Sequence, residues 1–242
     1  MNIAVLIPAR LSSTRYPKKL LAKVKEKTVI EWTYSGAIES KKAQMCAVLT
    51  DSLEIKETIE KINGKAYLVE GDFNSGTDRI AHYIADKDYD VIVNVQGDEP
   101  LIEGTTIDAL INFFIENKLK MATLAVKCNE CANNINDVKV VVDKNSFALY
   151  FSRSKIPYNA NPYNCYLKHI GVYIYDKSTL LFLHNQEPTP LEQAEKLEQL
   201  RALENSIKIG VLTTSKNFIG IDTRKDLELL EQYINSIQPS SF

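Results

Sequence analysis

No stretch of this 242-residue chain approaches the ~18 consecutive apolar residues that suggest a membrane span, and no basic segment precedes the apolar stretch after Met1-Asn2. Neither a bilayer anchor nor a secretory leader is expected, so the predicted location is cytoplasmic. Charge of one sign is lacking too. With 29 Lys and Arg against 31 Asp and Glu, the net charge is −2, which gives no general attraction to nucleic acid or to membranes. Neither G-x-G-x-x-G nor G-x-x-x-x-G-K-[ST] occurs, which argues against an ordinary dinucleotide fold and a P-loop. Any phosphate grip must be built differently. Cysteines are few, four in all, and without secretion they are not expected to form disulfides.

What is present is the make-up of one compact domain over residues 1–242, with 45% hydrophobic and 25% charged residues in a length near the upper limit for one core. Strands near 3–7, 45–49, 66–69 and 91–95 alternate with helical patterns near 28–40, 52–62, 78–86 and 104–117, and Met121 to Val126 begins a further strand. Such βα repetition predicts an α/β fold, a parallel sheet with helices on both faces. The second half differs. Val138 to Asp143, Ala148 to Phe151 and Lys168 to Tyr175 read as strands, the first two joined by a hairpin turn at Asp143-Lys144-Asn145-Ser146. The Val138 to Val142 run is too apolar to leave as a bare edge, so it is expected either to pair with a twofold copy or to be covered by a helix of the same chain. Thr189-Pro190-Leu191-Glu192 opens a helix with Leu191, Ala194, Leu197, Leu200 and Leu203 on its buried face. A last helix from about Thr223 carries Leu227, Leu230, Ile234 and Ile237, and 239–242 reads as a loose tail.

Two strand ends carry chemistry. Asp98, in Asn94-Val95-Gln96-Gly97-Asp98-Glu99-Pro100, lies just past a buried strand, where open α/β sheets bind ligands and where a carboxylate can hold Mg²⁺ against a phosphate. The first strand is followed by Pro8-Ala9-Arg10-Leu11-Ser12-Ser13-Thr14-Arg15-Tyr16-Pro17-Lys18-Lys19, with four cations and three hydroxyls. Such a loop reads either as a solvated surface or as a polyphosphate grip, and an acidic partner at the next strand end favours the second. Cys128-x-x-Cys131 with Cys165 and His169 has a spacing compatible with zinc, although a single C-x-x-C is common. Cys46 reads as a small buried hydrophobe, while His82 and His184 match no pattern and read as surface or packing residues.

Several short blocks together carry a resemblance. Pro8-Ala9-Arg10 with Ser13-Thr14-Arg15 and Lys19, Ser75-Gly76-Thr77-Asp78-Arg79, Val95 to Pro100, Phe151-Ser152-Arg153, His169-Ile170-Gly171-Val172-Tyr173, Leu197 to Arg201 and Gly220-Ile221-Asp222-Thr223 run in order along the chain. In this the chain resembles the 3-deoxy-manno-octulosonate (Kdo) cytidylyltransferases. One departure is Lys18, which stands where that family usually has Gly. The resemblance implies a three-layer nucleotide-diphospho-sugar transferase-like fold with a mixed, mainly parallel sheet and a strand-rich dimerisation region. It also implies a nucleotide-binding half at 1–126, a sugar-binding and dimerisation half at 127–242, and a homodimer.

The implied reaction is attack of the 2-hydroxyl of Kdo on the α-phosphorus of CTP, with Mg²⁺ as cofactor. By match to the family, Asp98 and Asp222 hold the metal, Arg10 and Lys19 the triphosphate, and Ser75, Gly76, Thr77 and Arg79 the nucleotide pocket. Arg153 pairs with the sugar carboxylate, since a guanidinium fork fits it, and Gln96, His169, Tyr173, Glu198 and Gln199 meet sugar hydroxyls. Taken alone, these residues have plainer readings: Asp222 as a helix cap, Ser75 to Asp78 as a turn and cap, His169 and Tyr173 as core-edge strand residues, Arg15 as a surface charge. Two other functions stay open at this point: a cytidylyltransferase for a related acidic sugar, 8-amino-Kdo or sialic-acid-like, and a catalytically silent nucleotide-sugar binding protein.

Overall fold

Buried strand residues alternate between two cores, and this alternation builds the three layers. A computed structural model describes residues 1–13 and 16–237; Thr14 and Arg15 of the cationic loop, and the tail at 239–242, lie outside the described residues. The chain begins β1 (Ile3–Ala9), β2 (Lys23–Val24), β3 (Lys27–Thr28), α1 (Val29–Ala37), β4 (Met45–Thr50), α2 (Leu53–Lys61), β5 (Ala66–Leu68), α3 (Gly76–Ile84), β6 (Val91–Val95), α4 (Gly104–Glu116) and β7 (Met121–Lys127). It continues β8 (Lys139–Val142), β9 (Ala148–Ser152), β10 (Leu167–Asp176), α5 (Lys177–His184), α6 (Pro190–Glu195), α7 (Gln199–Glu204), β11 (Ile209–Thr214) and α8 (Arg224–Ile237). In β1, Val5 and Ile7 face a core shared with α1, α4 and α8, whereas Ala4 and Leu6 face one shared with α3, α5 and α7.

The main sheet runs β11-β7-β10-β6-β1-β4-β5. Strands β5, β4, β1 and β6 are mutually parallel, as are β7 and β11. Between these groups β10 runs antiparallel to both β6 and β7, so the sheet is mixed and mainly parallel. Helix starts follow the sequence: Thr28 with Glu31, and Ser75 with Asp78, form capping boxes at α1 and α3.

Four expectations need correction. First, Val138 to Val142 is not an edge needing an external cover, because β8 lies between β9 and β10 and Val140 is buried. The covering element is its own hairpin partner rather than a helix. Second, the helix expected from Thr189 breaks in two, with Lys196 in a left-handed conformation (φ 55°) between α6 and α7. Ala194 and Leu191 are consequently exposed, and Leu197 and Leu200 alone hold the full burial expected of that face. Ile237 of α8 is likewise exposed. Third, α5 and β11 have no counterpart in the sequence reading; their apolar runs are too short to separate from loop by pattern. Fourth, Cys128 and Cys131 are joined as a disulfide. Cys128 stands just before the 3₁₀ helix at Glu130–Asn133 that carries Cys131, and the Cys131 N–H points at Cys128 Sγ at 3.2 Å. Their sulfurs are then not zinc ligands, and among the described residues no cluster of three or more His, Cys, Asp or Glu is placed for a metal.

Candidate active site

Both strand-end loops reach one place. After β1 the chain makes a single 3₁₀ turn, Lys19–Leu21, entered through Lys18 at φ 55° and ψ 28°. That left-handed conformation is the one glycine adopts most easily; at position 18 a lysine carries it, and its ammonium pairs with Glu54 at 2.7 Å. The turn aims Lys19 inward. Its Nζ donates to Asp98 Oδ2 at 2.5 Å and to Asp222 Oδ1 at 3.0 Å. Burial pulls the Lys19 pKa down, but the two carboxylates outweigh it and hold the ammonium above its usual range.

Asp222 reaches this point through backbone pairing, since the Ile221 N–H donates to the Asp98 carbonyl at 3.0 Å. The start of α8 is capped by Thr223 and Asp226, whose Oδ2 accepts the N–H groups of Asp222 and Thr223. The plainer reading of Asp222 as the cap is therefore filled by other residues. Arg10, Gln96, Asp98 and Asp222 line both a groove of about 160 Å³ along the loop, which also takes in Ser12, Ser13 and Lys19, and a larger cleft of about 1010 Å³. The two cavities share the acidic pair.

The larger cleft collects the expected sugar-side residues: Gln96, Arg153, His169, Tyr173, Glu198 and Gln199 all line it. A wide shift in the β10–β7 register between Ile170 and Tyr173 sets the His169 and Tyr173 rings 5.2 Å apart. His169 Nε2 lies 3.0 Å from Thr123 Oγ1, and burial pushes its pKa down to about 3. It acts as a neutral hydrogen-bonding group rather than an acid or a cation. The Tyr173 hydroxyl donates to Gln199 Oε1 at 3.3 Å, and burial holds the Tyr173 and Glu198 pKa values above their usual ranges.

Arg153 is braced by the broken helix. Its Nε donates to the Glu195 carbonyl at 3.0 Å, while Glu195 Oε2 accepts the Arg153 backbone N–H and Oε1 accepts the Ser152 hydroxyl. The helix break that defeated the sequence periodicity thus serves the site, because α6 ends on Arg153 and α7 starts with Gln199 in the cleft. A buried lysine, Lys139, donates to the carbonyls of Asn134, Asp137 and Arg153 and so ties the 134–137 loop to the Arg153 backbone.

Not every expected nucleotide residue reaches the cleft. Gly76 does, and a Cβ there would lie 2.8 Å from Pro8 Cγ, so only glycine fits. Ser75 caps α3 through Asp78, as its plainer reading had it. Thr77 is buried and meets Asn94 at 3.4 Å. Arg79 is buried too, donating to the Val69 carbonyl at 2.6 Å and to Asp51 at 2.8 Å. His184 is not incidental: its Nδ1 lies 2.8 Å from Asp78 Oδ1 and ties α5 to the cap of α3. Sequence reasoning also missed Glu99, Asp137 and Lys168, which line the cleft. Lys168 and Asp137 form an ion pair at 2.6 Å. Glu99 adjoins Asp98 and was the one of these legible as a site candidate; burial, then the Asp98 charge, push its carboxyl up to about 7.

Known proteins resemble this chain in sequence and in fold. The family model described as Cytidylyltransferase matches residues 4–209. A protein of Fusobacterium nucleatum subsp. nucleatum named 3-deoxy-manno-octulosonate cytidylyltransferase is 45% identical over 240 residues, covering 97% of each chain. One from Trichlorobacter lovleyi with the same name is 42% identical over 243 residues, covering 94% of this chain and 96% of its own. A solved structure described as CMP:2-keto-3-deoxy-manno-octonic acid synthetase complexed with CTP matches with a TM-score of 0.92 at 33% identity, over 98% of this chain and 100% of the other.

Proposed function

We propose, since the chain belongs to the cytidylyltransferase family and within it to the 3-deoxy-manno-octulosonate cytidylyltransferases, that it transfers CMP from CTP to the 2-hydroxyl of Kdo. The sugar oxygen bonds to the α-phosphorus as the bond to the β-phosphate oxygen breaks, giving CMP-Kdo and pyrophosphate and activating the sugar for lipopolysaccharide assembly. One observation carries the reading. Asp98, Asp222 and Lys19 meet where a cation-lined groove opens into a polar cleft, which is where a triphosphate and an acidic sugar must touch.

The residues divide the work. Arg10 and Lys19 neutralise phosphate oxygens, and Arg153 takes the sugar carboxylate. Gln96, Tyr173, Glu198 and Gln199, with neutral His169, orient the hydroxyls, and alignment of this kind supplies much of the rate in phosphoryl transfer. Asp98 and Asp222 fit Mg²⁺, because two converging carboxylates already hold a cationic nitrogen between them, and Mg²⁺ usually takes one or two carboxylates plus phosphates and waters. When bound, the metal would offset the charge that builds on the α-phosphate. A pyrophosphate-release assay with CTP, Mg²⁺ and a panel of 2-keto acid sugars tests the assignment. Release with Kdo is expected; no product with any acidic sugar would sink the enzyme reading, and use of only an 8-amino or nine-carbon sugar would change the substrate.

This reading puts the reaction in the cytoplasm, where CTP is made; separately, no described helix is long and apolar enough to cross a membrane. A homodimer built on the strand-rich second half also belongs to this reading. What supports it is the outer strand β9, which among the described residues pairs with β8 alone, with Leu149 exposed on it and Tyr158 exposed in the loop that follows. Sedimentation equilibrium at micromolar concentration should give twice the 27.4 kDa chain mass. Monomer mass throughout would defeat the dimer, and a dimer indifferent to Leu149→Lys with Tyr158→Lys would place the interface elsewhere.

A further inference from the structure

We infer that Glu99 is a positioning residue for the sugar: through Gly171 it holds the His169–Tyr173 wall in register with the turn that carries Asp98. The inference rests on the reading of the larger cleft as the acidic-sugar pocket. Residues 96–99 act as a hub. The Gln96 N–H donates to the Gly171 carbonyl at 3.0 Å, the Gly171 N–H donates to Glu99 Oε1 at 3.1 Å, and the Asp98 carbonyl accepts the Ile221 N–H. One turn thereby fixes both metal acids and the middle of the sugar wall.

Gly171 lies inside the register shift between Ile170 and Tyr173, where β10 departs from its β7 ladder. Backbone groups in such a bulge lose their strand partner and need another. Glu99 supplies it. The fit is close, since a Cβ on Gly171 would lie 3.0 Å from Gln96 Cγ and 3.2 Å from Glu99 Oε1.

Glu99 is a costly way to build a wall. It is 8% exposed, and its Oε2 has no hydrogen-bond partner among the described residues. An unsatisfied buried acceptor costs about 1–3 kcal/mol, more when charged, so an apolar side chain would serve packing better. The side chain is useful for the one bond it makes. That bond ties β10 to the turn that follows β6. Cutting it frees the bulge to shift, and His169 and Tyr173 flank that bulge on the same strand.

The test is a split between substrates. Glu99→Ala should raise KM for the sugar at least ~10-fold, from loss of the Gly171 hydrogen bond and of alignment, while CTP affinity by calorimetry and the Mg²⁺ requirement stay within about twofold. Glu99→Gln keeps an acceptor for the Gly171 N–H and should restore most of the sugar KM. Gly171→Ala, which crowds the same contact, should reproduce the split if Glu99→Ala does not fold. Wild-type KM for the sugar in the folded variants, an equal loss of CTP affinity, a raised Mg²⁺ requirement, or Glu99→Gln as damaged as Glu99→Ala would each overturn the inference. The split is read with whichever acidic sugar the wild type uses, so it is separate from the sugar assignment.

Discussion

Asp98→Asn and Asp222→Asn are each expected to lower turnover by at least ~10²-fold, because losing one anionic ligand weakens the neutralisation of charge on the reacting phosphate. The fold should survive. Each carboxylate is part-exposed, and each shares Lys19 with the other, so one partner remains for the ammonium when the other is neutralised. Asp98 is further held by its own backbone, whose carbonyl bond to Ile221 does not involve the side chain. The measurement is the steady-state rate across a Mg²⁺ titration, with thermal unfolding as the control. Near-normal rates in both variants at limiting Mg²⁺ would refute the two-acid metal site.

The second large effect separates the substrates. Lys19→Ala should weaken CTP binding by ~10- to 100-fold, since it removes a buried cation from the phosphate groove and leaves Asp98 and Asp222 facing each other across the gap. Arg153→Ala should leave CTP affinity largely intact and cost the sugar side a few kcal/mol if the carboxylate pair is buried. The backbone N–H of Arg153 keeps its bond to Glu195 in that variant, so the strand end stays anchored. Calorimetric titration with CTP decides between the two sites, and an equal loss of CTP affinity in both variants would contradict the division.

The first half of the fold was legible because its strands are buried on both faces and its helices are capped by nearby residues. Ile3 to Ile7 and Met45 to Leu49 are continuous apolar runs, Val91 to Val95 is interrupted by Asn94 alone, and Thr28, Ser52 and Ser75 announce the helices that follow them. Asp98 was legible for a related reason, since it ends a buried strand, whereas Asp222 taken alone read as a helix cap. The second half was less so. A spacing of leucines from Leu191 to Leu203 fits one helix, yet across the break at Lys196 stand contacts that this spacing does not encode: Arg201 folds back to grip Glu192 at 2.6 Å, and Glu195 holds the distant Ser152 and Arg153. Arg79 shows the same limit from the other side. Its motif marks it for the nucleotide pocket, but its guanidinium is engaged by Val69 and Asp51.

By itself the sequence determined the α/β class, the strand-end placement of Asp98, the cationic loop that meets it and, through ordered short blocks, the kind of substrate. Local pattern suffices for these because burial, capping and turn chemistry act over a few residues. Only the tertiary structure decided that β10 crosses between β6 and β7, that Asp222 meets Asp98 through Lys19, and that Glu99 and Gly171 join the two halves of the site. Those pairings connect residues distant in the chain, and nothing in the local spacing of either partner encodes the other; they are set by sheet order, which the packing of the whole domain selects.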